Sequence, residues 1–273
     1  MPESMQKTIL ITGSTDGIGL QTAKRLVSLG HHVILHGRNP SKLEKAQQEL
    51  KASSNGRVSG FVADLSVFQD VENLAKSVAT EFPSLDVLIN NAGVFSTPHP
   101  ITPDGLDVRF VVNTLAPYLL TRRLLPSLHK NGRVVNLSSA AQAPVDLRAL
   151  AGQAKLPDGA AYAQSKLALT MWSHRLGLEL GEEGPTLVAV NPGSFLGTKM
   201  VKEAYGMAGG DVNVGAEILC RASLDDEFAS PTGRYFDNDS GRFAPPHVDA
   251  LDDRKCREVV EEMERILSGF DMS

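Results

Sequence analysis

The segment that decides the fold is TILITGSTDGIG, residues 8–19, in which a β-branched and aliphatic run leads into a glycine-rich turn. The run Thr8–Ile11 predicts a buried strand, and the apolar spacing of Ile18–Leu29 predicts a helix directly after the turn. Glycines let such a turn reverse tightly and let a ligand reach the N–H groups at the start of the helix. This order indicates a site for the pyrophosphate of a dinucleotide, and its place after a strand disfavours the alternative of a turn without a ligand.

The same alternation of strand and helix continues along the chain. Short aliphatic runs predict buried strands at Thr8–Ile11, Val33–Leu35, Val58–Val62, Val87–Ile89, Val134–Leu137 and Leu187–Val190. Apolar spacing between and after them predicts helices over Ile18–Leu29, Ser41–Leu50, Val71–Phe82, Leu106–Leu128, Ala160–Leu180 and Leu251–Leu267. Strands this apolar must be covered on both faces, so we expect an α/β fold. Residues 1–273 should form a single domain, a Rossmann-type doubly wound parallel sheet with helices on both faces.

The end of the second predicted strand bears on the choice of dinucleotide. It reads His36-Gly37-Arg38-Asn39, without the acidic residue that holds the ribose hydroxyls of NAD(H). Arg38 offers a planar set of donors to a 2′-phosphate and can stack on adenine, which favours NADP(H) over NAD(H). Alternatively, Arg38 caps the strand and faces solvent, and Asp16 counts against NADP(H). The cofactor-binding residues predicted in these two segments are Gly13, Ser14, Thr15, Asp16, Gly17, Ile18, Gly19, Arg38 and Asn39.

Further motifs follow in a fixed order along residues 7–200. They are Asp64 after the third strand, Asn90-Asn91-Ala92-Gly93, Asn113, Ser138-Ser139, Tyr162-x-x-x-Lys166 and Pro192-Gly193-x-x-x-x-Thr198. In these motifs the chain resembles the short-chain dehydrogenase/reductase family, nearest to its retinol-dehydrogenase-like and WW-domain-oxidoreductase-like members. The resemblance implies that the adenine contacts Asp64 and Leu65, that the cofactor cleft is lined by Asn91, Ala92 and Gly93, and that the nicotinamide end is held by Pro192, Gly193 and Thr198.

The spacing of Tyr162 and Lys166 has a chemical meaning of its own. Four residues apart on a predicted helix, their side chains lie on one face about one turn apart. The lysine ammonium favours the phenolate form of the tyrosine, so Tyr162 can transfer a proton. The resemblance adds that Lys166 binds the nicotinamide ribose and that a water relay leads to Asn113. From the residues alone, Asn113 could instead be a structural kink residue.

A hydroxyl beside the tyrosine completes the predicted catalytic set. Hydride addition to a carbonyl leaves negative charge on oxygen, which a fixed hydroxyl donor stabilises. Ser138 and Ser139 are chemically equivalent, and strand alternation sends them to opposite faces; the resemblance favours Ser139. The predicted catalytic residues are Tyr162, Lys166, Ser139 and Asn113. The expected function is an oxidoreductase that transfers a hydride between NADP(H) and a carbonyl or alcohol.

Two segments rich in Ala, Gly or Pro, Leu147–Gly159 and Ser194–Gly215, are predicted to be loops. The first contains an insertion, residues 144–159, that lengthens the spacing between Ser139 and Tyr162 and is expected over the mouth of the active site. The second is expected to form a lid over a lipophilic substrate. Its apolar residues are Phe195, Leu196, Met200, Val201, Tyr205 and Met207. Packing of these side chains against the C-terminal segment is an alternative explanation.

Composition excludes several partner classes. The net charge of −5 provides no basic stripe for nucleic acid or anionic membrane. No window reaches the apolar length of a membrane-spanning helix, and Met1–Thr8 lacks the apolar run of a signal peptide, so we expect a cytoplasmic protein. Cys220 and Cys256 show neither a disulfide pattern nor a metal-ligand pattern. Four histidines are expected to be surface or packing residues: His31, His32, His36 and His174.

Two other functions remain open at this point. The first is a catalytically silent NADP(H)-binding regulatory protein, although the complete set of four catalytic residues argues against it. The second is a nucleotide-sugar epimerase or dehydratase, for which the C-terminal region is short. A small-molecule substrate is the expected partner. A homodimer or homotetramer is also expected, formed through the helices predicted over Leu106–Leu128 and Ala160–Leu180.

Overall fold

An eight-stranded sheet forms the centre of the computed structural model, which describes residues 6–53, 56–230 and 232–270. Its strands, β1 to β8 in chain order, are Thr8–Ile11, His32–Gly37, Arg57–Val62, Leu85–Asn90, Leu128–Leu137, Thr186–Asn191, Arg234–Asp237 and Arg242–Phe243. They lie in the order β3-β2-β1-β4-β5-β6-β7-β8. β1 to β7 pair in parallel, and β8 runs antiparallel to β7. The strand order reverses between β1 and β4, which is where ligands bind in folds of this kind.

Helices cover both faces of the sheet. From α1 to α10 they are Gly17–Ser28, Pro40–Ser53, Phe68–Glu81, Val108–Phe110, Ala116–Leu124, Leu147–Leu150, Asp158–Leu180, Lys199–Tyr205, Val212–Leu224 and Asp253–Ser268. Because strand side chains alternate, Leu10 joins the core under α3, α5, α7 and α10, whereas Ile9 joins the core under α1, α2 and α9. The predicted α/β class with one doubly wound sheet is confirmed. In the described part of the chain, none of the helices combines the length and apolar character that crossing a membrane requires; Met1–Met5 lie outside that part.

The prediction of a loop over Ser194–Gly215 is wrong in part, because this segment contains α8 and the first turn of α9. The side chain of Thr198 starts α8 by accepting a hydrogen bond from the N–H of Val201 at 3.2 Å. Gly206 ends the helix with a φ of 65°, in the left-handed region. The glycines that indicated a loop therefore mark the boundary of a helix.

Other boundaries also differ from the prediction. The helix predicted over Leu106–Leu128 consists of α4, a π-helical stretch over Val111–Leu115, α5 and a single 3₁₀ turn, and Leu128 opens β5. The loop predicted over Leu147–Gly159 contains the one-turn helix α6 and the start of α7. β7 and β8 were not predicted, because their sequences, RYFD and RF, contain no aliphatic run.

The C-terminal helix α10 covers the outer side of α7. Its residue Met263 is fully buried, and its residue Glu264 accepts a hydrogen bond from the Tyr118 hydroxyl of α5 at 2.7 Å. At the other end of α10, Arg175 of α7 donates to Asp253 at 2.9 Å. The homodimer or homotetramer stays a prediction, and association through the covered faces of α5 and α7 would have to displace α10.

Candidate active site

A cleft of about 670 Å³ opens outside the carboxyl ends of the parallel strands. The predicted site residues that line it are Gly13, Thr15, Asp16, Gly17, Ile18, Arg38, Asp64, Leu65, Asn91, Ala92, Gly93, Ser139, Tyr162, Lys166, Pro192, Gly193 and Thr198. The predicted site residues outside the lining are Ser14, Gly19, Asn39 and Asn113. A second cavity of about 160 Å³, between Phe68 and Phe270, contains none of these residues.

The turn after β1 is locked to the segment after β4. The Thr12 hydroxyl accepts hydrogen bonds from the N–H groups of Asn91 and Ala92 at 3.0 and 3.1 Å. The Asn91 side-chain amide donates back to the carbonyls of Thr12 and Gly13, each at 2.9 Å. A Cβ at Gly13 would lie 2.8 Å from the Ala92 Cα, and one at Gly19 would lie 2.4 Å from the Asn91 side chain. The two segments are therefore in direct contact, and Gly19 acts on the cleft by permitting that contact.

His36, expected to be a surface or packing residue, is buried against the glycine-rich turn and lines the cleft. Its Nδ1 accepts from the Gly13 N–H at 3.1 Å, and its Nε2 faces the Ala63 carbonyl at 3.1 Å. Burial lowers the pKa of His36 to about 4, so the ring is neutral near pH 7 with its proton on Nε2. No motif pointed to this residue, because its partners Gly13 and Ala63 follow two other strands, β1 and β3.

Ser14 faces β2 instead of the cleft. Its N–H donates to the His36 carbonyl at 2.9 Å, and its hydroxyl accepts from the His36 N–H at 2.9 Å. The N–H and the hydroxyl of Ser14, a predicted cofactor-binding residue, are thus both engaged by β2. Ser14 supports the glycine-rich turn from behind.

Two cations line the cleft at the end of β2. Arg38 is exposed there, and Lys42, in the first turn of α2, lies beside it on the cleft wall. Asn39 does not reach the cleft, because its side chain caps α2 by accepting from the Lys42 N–H at 3.0 Å. Lys42 was not predicted, although a basic residue four positions after Arg38 at a helix start was a usable signal.

Tyr162 and Lys166 lie on the face of α7 that lines the cleft. The Lys166 ammonium is buried, donates to the Leu137 carbonyl at 2.7 Å and lies 5.7 Å from the centre of the Tyr162 ring. Burial lowers the pKa of Lys166 to about 8. The Tyr162 ring packs against Phe95, with 4.9 Å between ring centres.

The two serines after β5 have different surroundings. Ser138 is buried, and its hydroxyl shares a hydrogen bond with the Thr170 hydroxyl of α7 at 2.7 Å. Ser139 is half-buried, and its Oγ accepts from the Ala141 N–H at 3.1 Å, which leaves the hydroxyl proton for another partner. The geometry therefore favours Ser139 as the donor to a ligand in the cleft.

Asn113 lies behind the cleft wall, in the π-helical stretch between α4 and α5. Its amide donates to the Val94 carbonyl and to the Ser165 hydroxyl, each at 2.9 Å, and its Oδ1 accepts from the Val94 N–H at 2.8 Å. Ser165 in turn donates to the Tyr162 carbonyl at 2.7 Å. The side chain of Asn113 thereby ties α7 to the segment after β4. π-helical stretches of this kind are frequent at functional sites.

The hairpin turn between β7 and β8 supports the segment after β6. Asp239 accepts hydrogen bonds from the Ser194 N–H at 2.9 Å, from the Ser194 hydroxyl at 2.6 Å and from the Asn191 side chain at 2.9 Å. Asn238 donates to the Pro192 carbonyl at 2.9 Å. These contacts were not predicted, because the hairpin itself was not.

The mouth of the cleft is formed by residues on and before α8. Phe195, Met200 and Val201 line it, and Phe195 has a positive φ of 51°, a strained conformation for a large side chain. The side chain of Tyr205 lies outside the described part of the structure. Residues 144–159, expected over the mouth, contribute nothing to the lining and lie beside it, with Leu150 buried in the core under α10.

Comparison with known proteins identifies the family of the chain. The sequence model of short chain dehydrogenases matches residues 7–208. Retinol dehydrogenase 13 of Mus musculus is 34% identical, with 96% of this chain and 84% of that protein covered. Polyprenol dehydrogenase of Homo sapiens is also 34% identical, over 87% of this chain and 78% of that protein. A short chain dehydrogenase from Burkholderia cenocepacia in complex with NADP superposes with a TM-score of 0.70 at 26% identity, covering 85% of this chain and 96% of that one. The resemblance drawn from the motifs is confirmed, and the chain belongs to the short-chain dehydrogenase family of oxidoreductases.

Proposed function

We propose that this enzyme moves a hydride between NADP(H) and the carbonyl or alcohol carbon of a lipophilic substrate. The observation that carries the proposal is one cleft lined by Tyr162, Lys166 and Ser139 and also by Arg38 and Lys42. The first three supply proton transfer and stabilisation of charge on oxygen. The other two supply the positive charge that a phosphorylated ribose attracts.

The dimensions of the cleft fit an extended dinucleotide. β2 and β5 lie three positions apart in the sheet, which separates the strand ends bearing Arg38 and Ser139 by roughly 14 Å at about 4.8 Å per strand. Between them the start of α1 presents Gly17 and Ile18 to the cleft, where the helix dipole favours a pyrophosphate. When bound, the nicotinamide supplies the hydride in its reduced form and accepts it in its oxidised form.

The remaining cofactor contacts are proposed from the family resemblance together with their position in the cleft. Asp64 and Leu65, after β3, suit the adenine, and Asn91, Ala92 and Gly93, after β4, suit the middle of the cleft. At the nicotinamide end the proposed residues are Pro192, Gly193 and Thr198. Asn113 is proposed to act through its backbone, because its side chain is fully engaged.

Proton transfer is assigned to Tyr162. In reduction its hydroxyl donates a proton to the carbonyl oxygen, and in oxidation its phenolate accepts the proton of the alcohol. The Ser139 hydroxyl donates to the same substrate oxygen and stabilises the charge that develops there. Below about pH 8 the Lys166 ammonium is charged, and its positive charge stabilises the developing phenolate of Tyr162.

A lipophilic substrate is supported by the apolar mouth. Phe95, Phe195, Met200 and Val201 line this part of the cleft, and apolar walls of this kind exclude water from the reacting atoms. The two curated relatives are named for retinol and polyprenol, both long apolar alcohols. We propose that the segment from Phe195 to α8 closes over the substrate as a lid.

The test measures consumption of NADPH and of NADH with a panel of apolar aldehydes and ketones. Tyr162→Phe should lower kcat on the order of 10²- to 10⁴-fold, because it removes the transferred proton, while NADPH affinity stays unchanged. Tyr118→Phe is the matched control, since that hydroxyl binds Glu264 far from the cleft. Tight NADPH binding without turnover of any carbonyl would instead support the silent regulatory protein. Protection from thermal unfolding by a nucleotide sugar would support the epimerase alternative.

A further inference from the structure

A buried arginine outside the predicted site joins two of the elements that form it. The side chain of Arg109 is 2% exposed, a position where a charge is costly unless it is paired. Asp107 accepts from its Nε at 2.7 Å and from its Nη2 at 2.5 Å, which forms a two-pronged ion pair within α4 and the residue before it. The remaining Nη1 donates to Asp158, which lies 49 residues further along the chain.

Asp158 connects three segments through one carboxylate. It is the first residue of α7, and its second oxygen accepts from the Ser96 hydroxyl at 2.9 Å. Ser96 belongs to the segment after β4 that lines the cleft. The Asp158 side chain is 48% exposed, so water could solvate its charge without Arg109. Asp158 therefore does not need the ion pair to compensate its charge. The ion pair instead fixes the positions of three chain segments.

The spacing of this pair matches that of the site residues. Arg109 lies four residues before Asn113, and Asp158 lies four residues before Tyr162. Residues four apart lie about one helical turn from each other on the same side. The ion pair thus joins α4 to the first turn of α7, ahead of the place where Asn113 contacts Ser165 of the same helix. The two links reach α7 at Asp158 and at Ser165, about two turns apart, and together they resist sliding or rotation of α7 against α4 and the π-helical stretch.

We propose that Asp158, held by Arg109 and Ser96, is a positioning residue that sets where Tyr162 lies along the axis of α7 and so its position in the cleft. The proposal rests on the proposed function, since turnover depends on the position of Tyr162 only if its proton is transferred to the substrate oxygen. Arg109 lies behind the cleft wall. By binding Asp158, it fixes the position of the first turn of α7. A displacement of about 1 Å at such a group can lower turnover on the order of 10²-fold.

The experiment compares Asp158→Asn with Asp253→Asn. Asp253 is also the first residue of a helix and also pairs with arginines, Arg175 and Arg257, but it lies on α10, away from the cleft. Both substitutions remove a favourable charge from a helix start. In Asp158→Asn we expect kcat to fall about tenfold. Asp253→Asn should keep the wild-type kcat. The two variants should have equal NADPH affinities and equal unfolding midpoints.

Hydrogen exchange gives a readout that does not need turnover. With NADPH present, backbone amides of residues 94–97 and of the first two turns of α7 should exchange faster in Asp158→Asn than in the wild type, and those of α10 should not. Unchanged exchange in these segments, or an unchanged kcat, overturns the proposal. If the wild type reduces no carbonyl at all, the proposed function fails by itself, and the exchange measurement alone decides whether Asp158 holds α7 in place.

Discussion

The choice between NADP(H) and NAD(H) depends on single side chains at the end of β2. Arg38 can form charge-assisted hydrogen bonds with a 2′-phosphate, whereas Lys42 is a flexible point charge beside it. Hydrogen bonds to charged groups contribute about 1.5–3 kcal/mol, and exposed charge pairs contribute about 1 kcal/mol or less. Arg38 should therefore make the larger contribution.

Arg38→Asp should raise the KM for NADPH roughly 10- to 100-fold, because it replaces the donors with a repelling charge, and should raise the KM for NADH much less. Lys42→Ala should raise the KM for NADPH roughly two- to fivefold. Steady-state kinetics with both cofactors measures these effects. Lys45→Ala is the control, since Lys45 is exposed on the same helix and does not line the cleft. Equal losses for both cofactors would contradict this role of Arg38.

A site residue could be predicted when its partners lie close to it in the sequence, and could not when they lie far away. Tyr162 and Lys166 could be predicted, because four-residue spacing on a helix implies a shared face. His36 could not, because its partners Gly13 and Ala63 lie 23 and 27 residues away. The choice between Ser138 and Ser139 stayed open in the residues themselves, since only the packing against α7 shows which hydroxyl is already engaged, that of Ser138 with Thr170.

At the scale of secondary-structure elements, the hairpin β7–β8 acts on the cleft without lining it. Its turn carries Asp239, and the three hydrogen bonds that Asp239 accepts fix the segment from Asn191 to Ser194. These bonds hold the pKa of Asp239 below its usual range even though partial burial raises it, so the carboxylate stays charged. Pro192 and Gly193 therefore have a rigid support outside the cleft.

Asp239→Ala should lower kcat/KM for NADPH about tenfold, because it removes hydrogen bonds to a charged acceptor and frees the segment after β6. Steady-state kinetics checks this. Ser240→Ala, in the same turn, removes a hydrogen bond from the Ser240 hydroxyl to the Asp237 carbonyl and should leave kcat/KM unchanged. An unchanged kcat/KM in Asp239→Ala would show that the turn and the cleft are independent.

The sequence predicted long elements better than short ones. The long helices show a period of 3.6, and six strands are marked by aliphatic runs. α8 was hidden by the neighbouring glycines, which read as a loop although Thr198 and Gly206 are its start and end. β7 and β8 acquire their pairing from β6, a contact that no local pattern encodes.

At the scale of the whole molecule, His36 links the carboxyl ends of three strands. It lies on β2, accepts from the turn after β1 and donates to the residue after β3. Because both ring nitrogens are engaged in the neutral form, a second ring proton would break the bond to Gly13. The folded state therefore resists protonation of this ring, whereas the unfolded chain binds a proton at an ordinary pKa of about 6.5.

The free energy of unfolding should accordingly fall as the pH drops below about 6.5 and should stop falling below the folded pKa of about 4. From about pH 7.5 to about pH 5, His36 should contribute a loss of roughly 2 kcal/mol. Urea unfolding of the wild type and of His36→Gln at both pH values measures it. The variant should lose roughly 2 kcal/mol less over this range, and the exposed His99→Gln should lose as much as the wild type. Equal losses in all three proteins would refute the assignment.

The antiparallel strand β8 also has a consequence for neighbouring molecules. An open sheet edge can recruit a strand from another chain and so begin aggregation. β8 contributes only Arg242 and Phe243 to this edge, and Pro245 and Pro246, which have no N–H to donate, follow almost at once. A strand from another chain therefore finds little edge to pair with at β8. The protein should not aggregate through this edge in concentrated solution, even without a covering subunit.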